Sequence, residues 1–98
     1  MGKIDVEFNE AIRQAEALEG LADQINALGV NSLQNILQNI SHSWKGDNAN
    51  LFIEKGDRFK EELLDTAHEL KTMAEALKDR AKWVYDVEKV TQELIKST

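Results

Sequence analysis

Two long stripes of apolar residues run almost the full length of the chain and are interrupted once, at Trp44-Lys45-Gly46. Within each stripe the apolar residues recur at steps of three and four, which is the spacing of one face of an α-helix. Gly46 can take a positive φ at no steric cost and end a first helix, and Asp47 or Asn48 can accept a backbone N–H where a second begins. The pattern predicts an all-α fold, an antiparallel two-helix hairpin with a Trp-x-Gly turn.

The chain is short and contains no proline. Ninety-eight residues are typical of one domain, and the absence of proline favours long, uninterrupted helices. We therefore predict a single helical-hairpin domain over residues 1–98, with a helix at about 5–42, a turn at 43–47 and a helix at about 48–96.

One irregularity lies inside the first stripe. Between Leu28 and Leu33 the apolar step lengthens to five, across Gly29-Val30-Asn31-Ser32. An inserted residue of this kind changes the local winding of a helix, so we expect a kink or a slip in helical phase, with a full break as the alternative.

Both stripes are wider than the narrow seam that two helices can share. At about 25 cal/mol per Å² of buried apolar area, a lone hairpin barely offsets the entropy lost on ordering its residues, so small scaffolds without disulfides or metals often oligomerise. We expect two hairpins to dimerise into a four-helix bundle. The predicted hairpin and dimer core consists of Leu18, Ile25, Ile36, Ile40, Phe52, Phe59, Leu63, Leu70 and Leu77.

Composition disfavours several classes of function. The net charge of -6 opposes binding to nucleic acid or to anionic lipid. No stretch approaches the about 20 apolar residues of a membrane span, and the N-terminus lacks the apolar region of a cleavable signal peptide. The chain has no cysteine, His42 and His68 are not spaced as zinc ligands, and no glycine-rich phosphate loop occurs. We therefore expect no catalytic residues, no metal and no cofactor.

The triplet lies mid-chain between two proline-free helical stripes, and Ala49 and Phe52 follow it. In these features, and over its whole length, the chain resembles the WXG (ESAT-like) family of small helical type VII secretion proteins. The resemblance implies a non-enzymatic substrate or export partner of a type VII secretion system, cytoplasmic before export and then secreted without a cleavable signal peptide. It also implies pairing with itself or a related small helical protein and transport by a secretion ATPase. Trp44 and Gly46 would then occupy the groove at the bundle end where the partner and the tail meet.

The C-terminal tail matches the family pattern in part. Many members carry a Tyr followed four residues later by an acid as an export signal, whereas the acid nearest that position after Tyr85 is Glu88, three residues on. A looser family pattern has a hydrophobic residue four before an acid, then further hydrophobic residues; Val84, Glu88 and Ile95 match it and Thr91 does not. The candidate export tail is Val84, Tyr85, Glu88 and Ile95. It is either a working variant of the signal, or the chain relies on its partner's tail.

Two other functions stay open from the sequence. The chain could be a cytosolic adaptor or chaperone that pairs with the helical N-terminal domain of a larger secreted toxin. It would then be unstable, or would self-associate promiscuously, until that partner is present. It could instead be a generic coiled-coil structural module, which would tolerate replacement of Trp44. Trp83 and Tyr85 also allow two interpretations: they cover the apolar edge of the bundle, or they bind a receptor.

Overall fold

The computed structural model describes residues 2–97, in which every regular element is a helix. Helix α1 spans Lys3–Gln24, a π-helical segment spans Ile25–Asn31, α2 spans Ser32–Ser43, and α3 spans Asp47–Ser97. The predicted all-α fold is confirmed for this part of the chain, and the order of its elements is consistent with a helical hairpin.

The π-helical segment coincides with the irregular step in the first apolar stripe. Gln24 before it and Ser32 after it both keep right-handed helical backbone angles, so α1 passes into α2 without a break. A π-helix closes its hydrogen bonds over five residues instead of four and therefore absorbs an additional residue in each turn. The predicted slip in helical phase is present here as a change of winding, and the alternative of a full break is not.

Three residues connect α2 to α3. The Trp44 amide donates to the Ile40 carbonyl oxygen at 2.8 Å, and Trp44 itself is extended, with φ -129° and ψ 125°. Gly46 has a φ of 114°, a region that favours glycine because it has no Cβ. Helix α3 begins at Asp47, so this carboxylate lies in the first helical turn, near the positive end of the helix dipole, and not at the expected cap position.

Contacts divide the chain into two compact units, and each unit pairs two stretches of helix. Unit 1 contains residues up to Glu19 and residues from Lys71 onward, and unit 2 contains Gly20–Leu70. In unit 1 Asp5 bonds to Tyr85 and Glu19 bonds to Lys78. Successive contacts therefore run forward along α1 and backward along α3, so these two helices are antiparallel.

Unit 2 is antiparallel by the same criterion. Gly29 lies against Leu63, Leu37 lies against Gly56, and the ring of Trp44 lies 6.4 Å from that of Phe52. The stretch from the π-helical segment through α2 thus packs along the first part of α3.

Small residues dominate the buried apolar positions. Among the described residues, seven apolar side chains are buried, and only Val30 and Leu37 are larger than alanine; the others are Ala15, Ala22, Ala49, Ala67 and Ala74. Alanine between two helices lets their backbones approach closely, but it leaves no room for large side chains in the seam. Many large apolar side chains consequently remain at least 43% exposed.

Gly56 shows how close the approach is in unit 2. A Cβ atom built at this position would overlap the methyl groups of Leu37, whose side chain is itself only 5% exposed. Gly20, in contrast, lies within α1 and has nothing within 4 Å of a Cβ built on it. Gly20 and Gly56 are therefore a matched pair, one outside the seam and one in it.

Alanine at these two glycines should change stability in opposite directions. Gly20→Ala should raise the free energy of unfolding by up to about 1 kcal/mol, because glycine is the poorer helix former. Gly56→Ala gains the same helix propensity but forces Leu37 out of place, and overpacking of a filled site costs about 1–3 kcal/mol. We expect a net loss for Gly56→Ala by urea unfolding; equal stabilisation by both substitutions would contradict the close seam.

Candidate interaction surfaces

A polar cluster in unit 1 holds the end of α3 against the start of α1. The Tyr85 hydroxyl donates to Asp5 Oδ1 at 2.9 Å, and Lys89 Nζ lies 3.9 Å from the same oxygen. The Gly2 amide donates to Asp5 Oδ2 at 3.3 Å, and the rings of Phe8 and Tyr85 are 4.9 Å apart. Tyr85 therefore packs on α1, whereas Trp83 is 56% exposed.

This cluster shifts the ionisation of both bonded groups. The hydrogen bond from Tyr85 is the main cause that lowers the pKa of Asp5, and the Gly2 amide and the charge of Lys89 act in the same direction. The bond to Asp5 in turn raises the pKa of Tyr85, because loss of the phenolic proton would remove the donor and place two negative charges together. The cluster is thus most favourable with Asp5 ionised and Tyr85 protonated.

Stability should therefore fall at both ends of the pH scale. Because the pKa of Asp5 is lower in the folded chain, its contribution is full above the unfolded-state pKa of about 4 and is lost as the pH falls through the folded value. Because the pKa of Tyr85 is raised, its contribution is full below about pH 10 and is lost as the pH rises further.

The variant Tyr85→Phe tests this coupling. It keeps the ring contact with Phe8 but removes the donor to Asp5, so the melting temperature should depend less on pH between pH 7 and pH 3 than it does in the wild type. Asp79→Asn, a carboxylate outside the cluster, serves as the control for general charge effects. Identical pH profiles for wild type and Tyr85→Phe would show that the bond does not stabilise the fold.

The candidate tail residues border a groove in unit 1. The groove has a volume of about 180 Å³ and lies between α1 and the last part of α3. Val84, Tyr85 and Glu88 all line it, beside apolar residues of α1 and Leu77 of α3. Ile95, the fourth tail residue, is not part of its lining and is 68% exposed. The structure thus brings three of the four predicted tail residues to one groove.

Unit 2 carries an exposed apolar face, defined by Ile36, Phe52 and Phe59, and these side chains are 53%, 53% and 54% exposed. Phe52 lies four residues before Gly56, and Phe59 lies three residues after it. At 100° of rotation per residue, both side chains are displaced from Gly56 by about 40–60° around the helix axis, in the same direction. Ile36 is displaced in the same sense from Leu37, the partner of Gly56. When two helices run antiparallel, side chains rotated in the same direction away from their contact line lie on the same side of the helix pair. All three side chains therefore share one face.

Two further features lie in unit 2. A groove of about 290 Å³ runs beside the π-helical segment, and Leu28 in its lining is 71% exposed. At the connection to α3, Trp44 is 51% exposed and contacts Phe52 through its ring. Gly46, the other residue of the turn motif, contributes backbone conformation and no side-chain contact.

The residues predicted as hairpin and dimer core divide into two groups. Ile36, Phe52 and Phe59 are exposed in the single chain. The other members are half-buried, and they are Leu18, Ile25, Ile40, Leu63, Leu70 and Leu77. Alanines occupy the fully buried positions, so the large members flank the seam and do not fill it.

Two features were missed in the sequence. The contact of Asp5 with Tyr85 joins residues 80 positions apart, and no local pattern indicates it. The second feature is a row of exposed apolar residues at the end of α3, which we call the C-terminal stripe: Trp83, Val87, Val90 and Leu94. The steps of four, three and four are visible in the sequence. However, the apolar stripe through Leu77 and Val84 runs through the same segment, and the sequence pattern alone does not separate the two.

Comparisons of the chain with protein-family models, with curated proteins and with solved structures find no match. Within residues 2–97 there is also no group of three or more His, Asp or Glu side chains placed to hold a metal ion. No helix in that range combines the length and apolar character needed to cross a membrane.

Proposed function

We propose that this chain is a non-enzymatic substrate or export partner of a type VII secretion system, of the WXG (ESAT-like) kind, and that it works as a homodimer or with a related helical protein. The proposal is supported by the helical elements on both sides of Trp44 and Gly46 and by the apolar face of unit 2. In this proposal the protein is cytoplasmic before export, and a secretion ATPase drives its transport.

The apolar face of unit 2 is the observation that carries the proposal. Its three large side chains are each more than half exposed, although they lie beside a seam that alanine and glycine close. A contiguous apolar surface of this kind on a small soluble domain marks an interaction site. A second hairpin that offers its own apolar face would bury it and complete a four-helix bundle.

The Trp-x-Gly turn has a distinct role in the proposal. Gly46 at φ 114° closes the connection, and the half-exposed ring of Trp44 remains at the surface beside Phe52. The indole is thus accessible for recognition at the end of the bundle. A turn residue needed only for packing would be expected to bury more of its ring.

Sedimentation of matched variants tests the dimer. Phe59→Gln should raise the dimer dissociation constant about tenfold or more, because each protomer loses the burial of one aromatic side chain. Val6→Gln is the control, since Val6 on α1 is 55% exposed, about as much as Phe59, but is not on the face of unit 2. A wild type that stays monomeric, or equal weakening by both variants, would contradict pairing through this face.

Export of Trp44 variants tests the secretion role. Because Trp44 is half exposed, Trp44→Ala should lower stability by less than the about 3 kcal/mol typical of a fully buried aromatic. Export into the medium of cells that contain the secretion ATPase should nevertheless fail. Lys45→Ala, which changes the middle residue of the triplet, should be exported like the wild type, and neither protein should leave cells that lack the ATPase.

The outcomes separate the rival functions. A folded Trp44→Ala variant exported at the wild-type level would remove the secretion role from the tryptophan and favour a generic coiled-coil module. A chain that is retained in the cell, and is stable only together with a larger secreted toxin, would favour the adaptor or chaperone role.

A further inference from the structure

The C-terminal stripe is a second exposed apolar surface, distinct from the face of unit 2. Trp83, Val87, Val90 and Leu94 follow one another at steps of four, three and four, the spacing of the a and d positions of a coiled coil. Their exposures are 56%, 43%, 56% and 62%. The guanidinium carbon of Arg80 lies 4.7 Å from the centre of the Trp83 ring and marks the start of the stripe. No other described helix covers these four residues.

An acidic row borders this stripe on one side. Asp79, Asp86 and Glu93 are exposed and follow one another at steps of seven, so they occupy the same position of successive heptads. Each of the last two directly precedes a stripe residue, which is the g position of a coiled coil. Within the described chain none of the three is within ion-pair distance of a Lys or Arg side chain. The opposite border is uncharged, with Val84 and Thr91 at the e positions.

The charge pattern restricts what covers the stripe. In an antiparallel coiled coil of two copies, g positions face g positions, so the acidic rows of both copies would repel each other. In a parallel arrangement the acids would face Val84 and Thr91 and gain no partner. An anionic membrane surface would be repelled as well. A helix with basic residues beside its apolar seam would both bury the apolar stripe and pair with the acidic residues.

We propose that the C-terminal stripe is the docking surface for a basic amphipathic helix of another protein. The partner helix places apolar side chains at its own a and d positions against Trp83, Val87, Val90 and Leu94. Its Lys or Arg side chains at the flanking positions pair with Asp86 and Glu93. The four residues of the stripe belong neither to the Trp-x-Gly turn, nor to the face of unit 2, nor to the four candidate tail residues, so this interaction can be tested separately from the proposed function.

Binding of synthetic peptides to the full chain tests this surface. The probe is a labelled peptide of about four heptads with Leu at a and d and Lys at the flanking positions, long enough to be helical when bound. A control peptide carries Glu in place of Lys. Fluorescence anisotropy should show binding of the Lys peptide alone, with an affinity that falls as salt is raised.

Matched charge reversals locate the site. The double variant Asp86→Lys/Glu93→Lys should weaken binding of the Lys peptide about tenfold or more. The control is Glu54→Lys/Glu61→Lys, which changes the net charge equally at two exposed acids of α3, also seven residues apart. It should bind with nearly the wild-type affinity. Val90→Gln/Leu94→Gln, at exposed positions, should weaken binding as well while helical circular dichroism stays unchanged.

Three results would overturn the proposal. The first is failure of the wild-type chain to bind the Lys peptide. The second is equal weakening by both charge-reversal variants, since binding would then reflect overall acidity. The third is conversion of a wild-type dimer to a monomer by Val90→Gln/Leu94→Gln, since the stripe would then be covered by a second copy of the chain.

Discussion

The seam between the paired helices is filled by alanine and glycine, and this determines where the larger apolar side chains lie. With Gly56 against Leu37, and Ala49 and Ala67 buried in the same unit, no space remains for an aromatic ring between the helices. Ile36, Phe52 and Phe59 therefore lie beside the seam, where water still reaches them. The paired helices thus pack closely, but their large apolar side chains remain available for contacts with another surface.

Both units bury small residues between their helices, and unit 1 adds a polar cluster to this packing. In unit 2 the contacts are apolar and depend on small residues, as at Gly29 and Gly56. In unit 1 a polar cluster also joins the helices. Tyr85 makes two of its contacts, because its hydroxyl donates to Asp5 and its ring packs on Phe8. The same tyrosine is a candidate export residue; it is half-buried like Val84 and Glu88, and Ile95 is the one exposed residue of the candidate tail.

Helix type and winding were predictable from local pattern, because they depend on residues a few positions apart. The steps of three and four predicted the helices, the lengthened step at Leu33 predicted the slip, and Gly46 predicted the positive φ. The composition of the seam was not predictable in this way, since size at the contact decides which apolar residues enter it. The apolar pattern does not distinguish Ala49, Ala67 and Ala74, which are buried, from the larger apolar residues beside them, which stay outside the seam.

The most direct test of this account is the dependence of stability on protein concentration. If the exposed apolar faces of two chains bury each other, folding and association are linked, and the urea midpoint should rise as the concentration of the chain is raised over several hundredfold. In Phe59→Gln the same rise should begin at a higher concentration, because its dimer dissociates more readily. A monodisperse monomer that unfolds cooperatively at a midpoint independent of concentration would contradict the account, because the large side chains outside the seam would then need no partner.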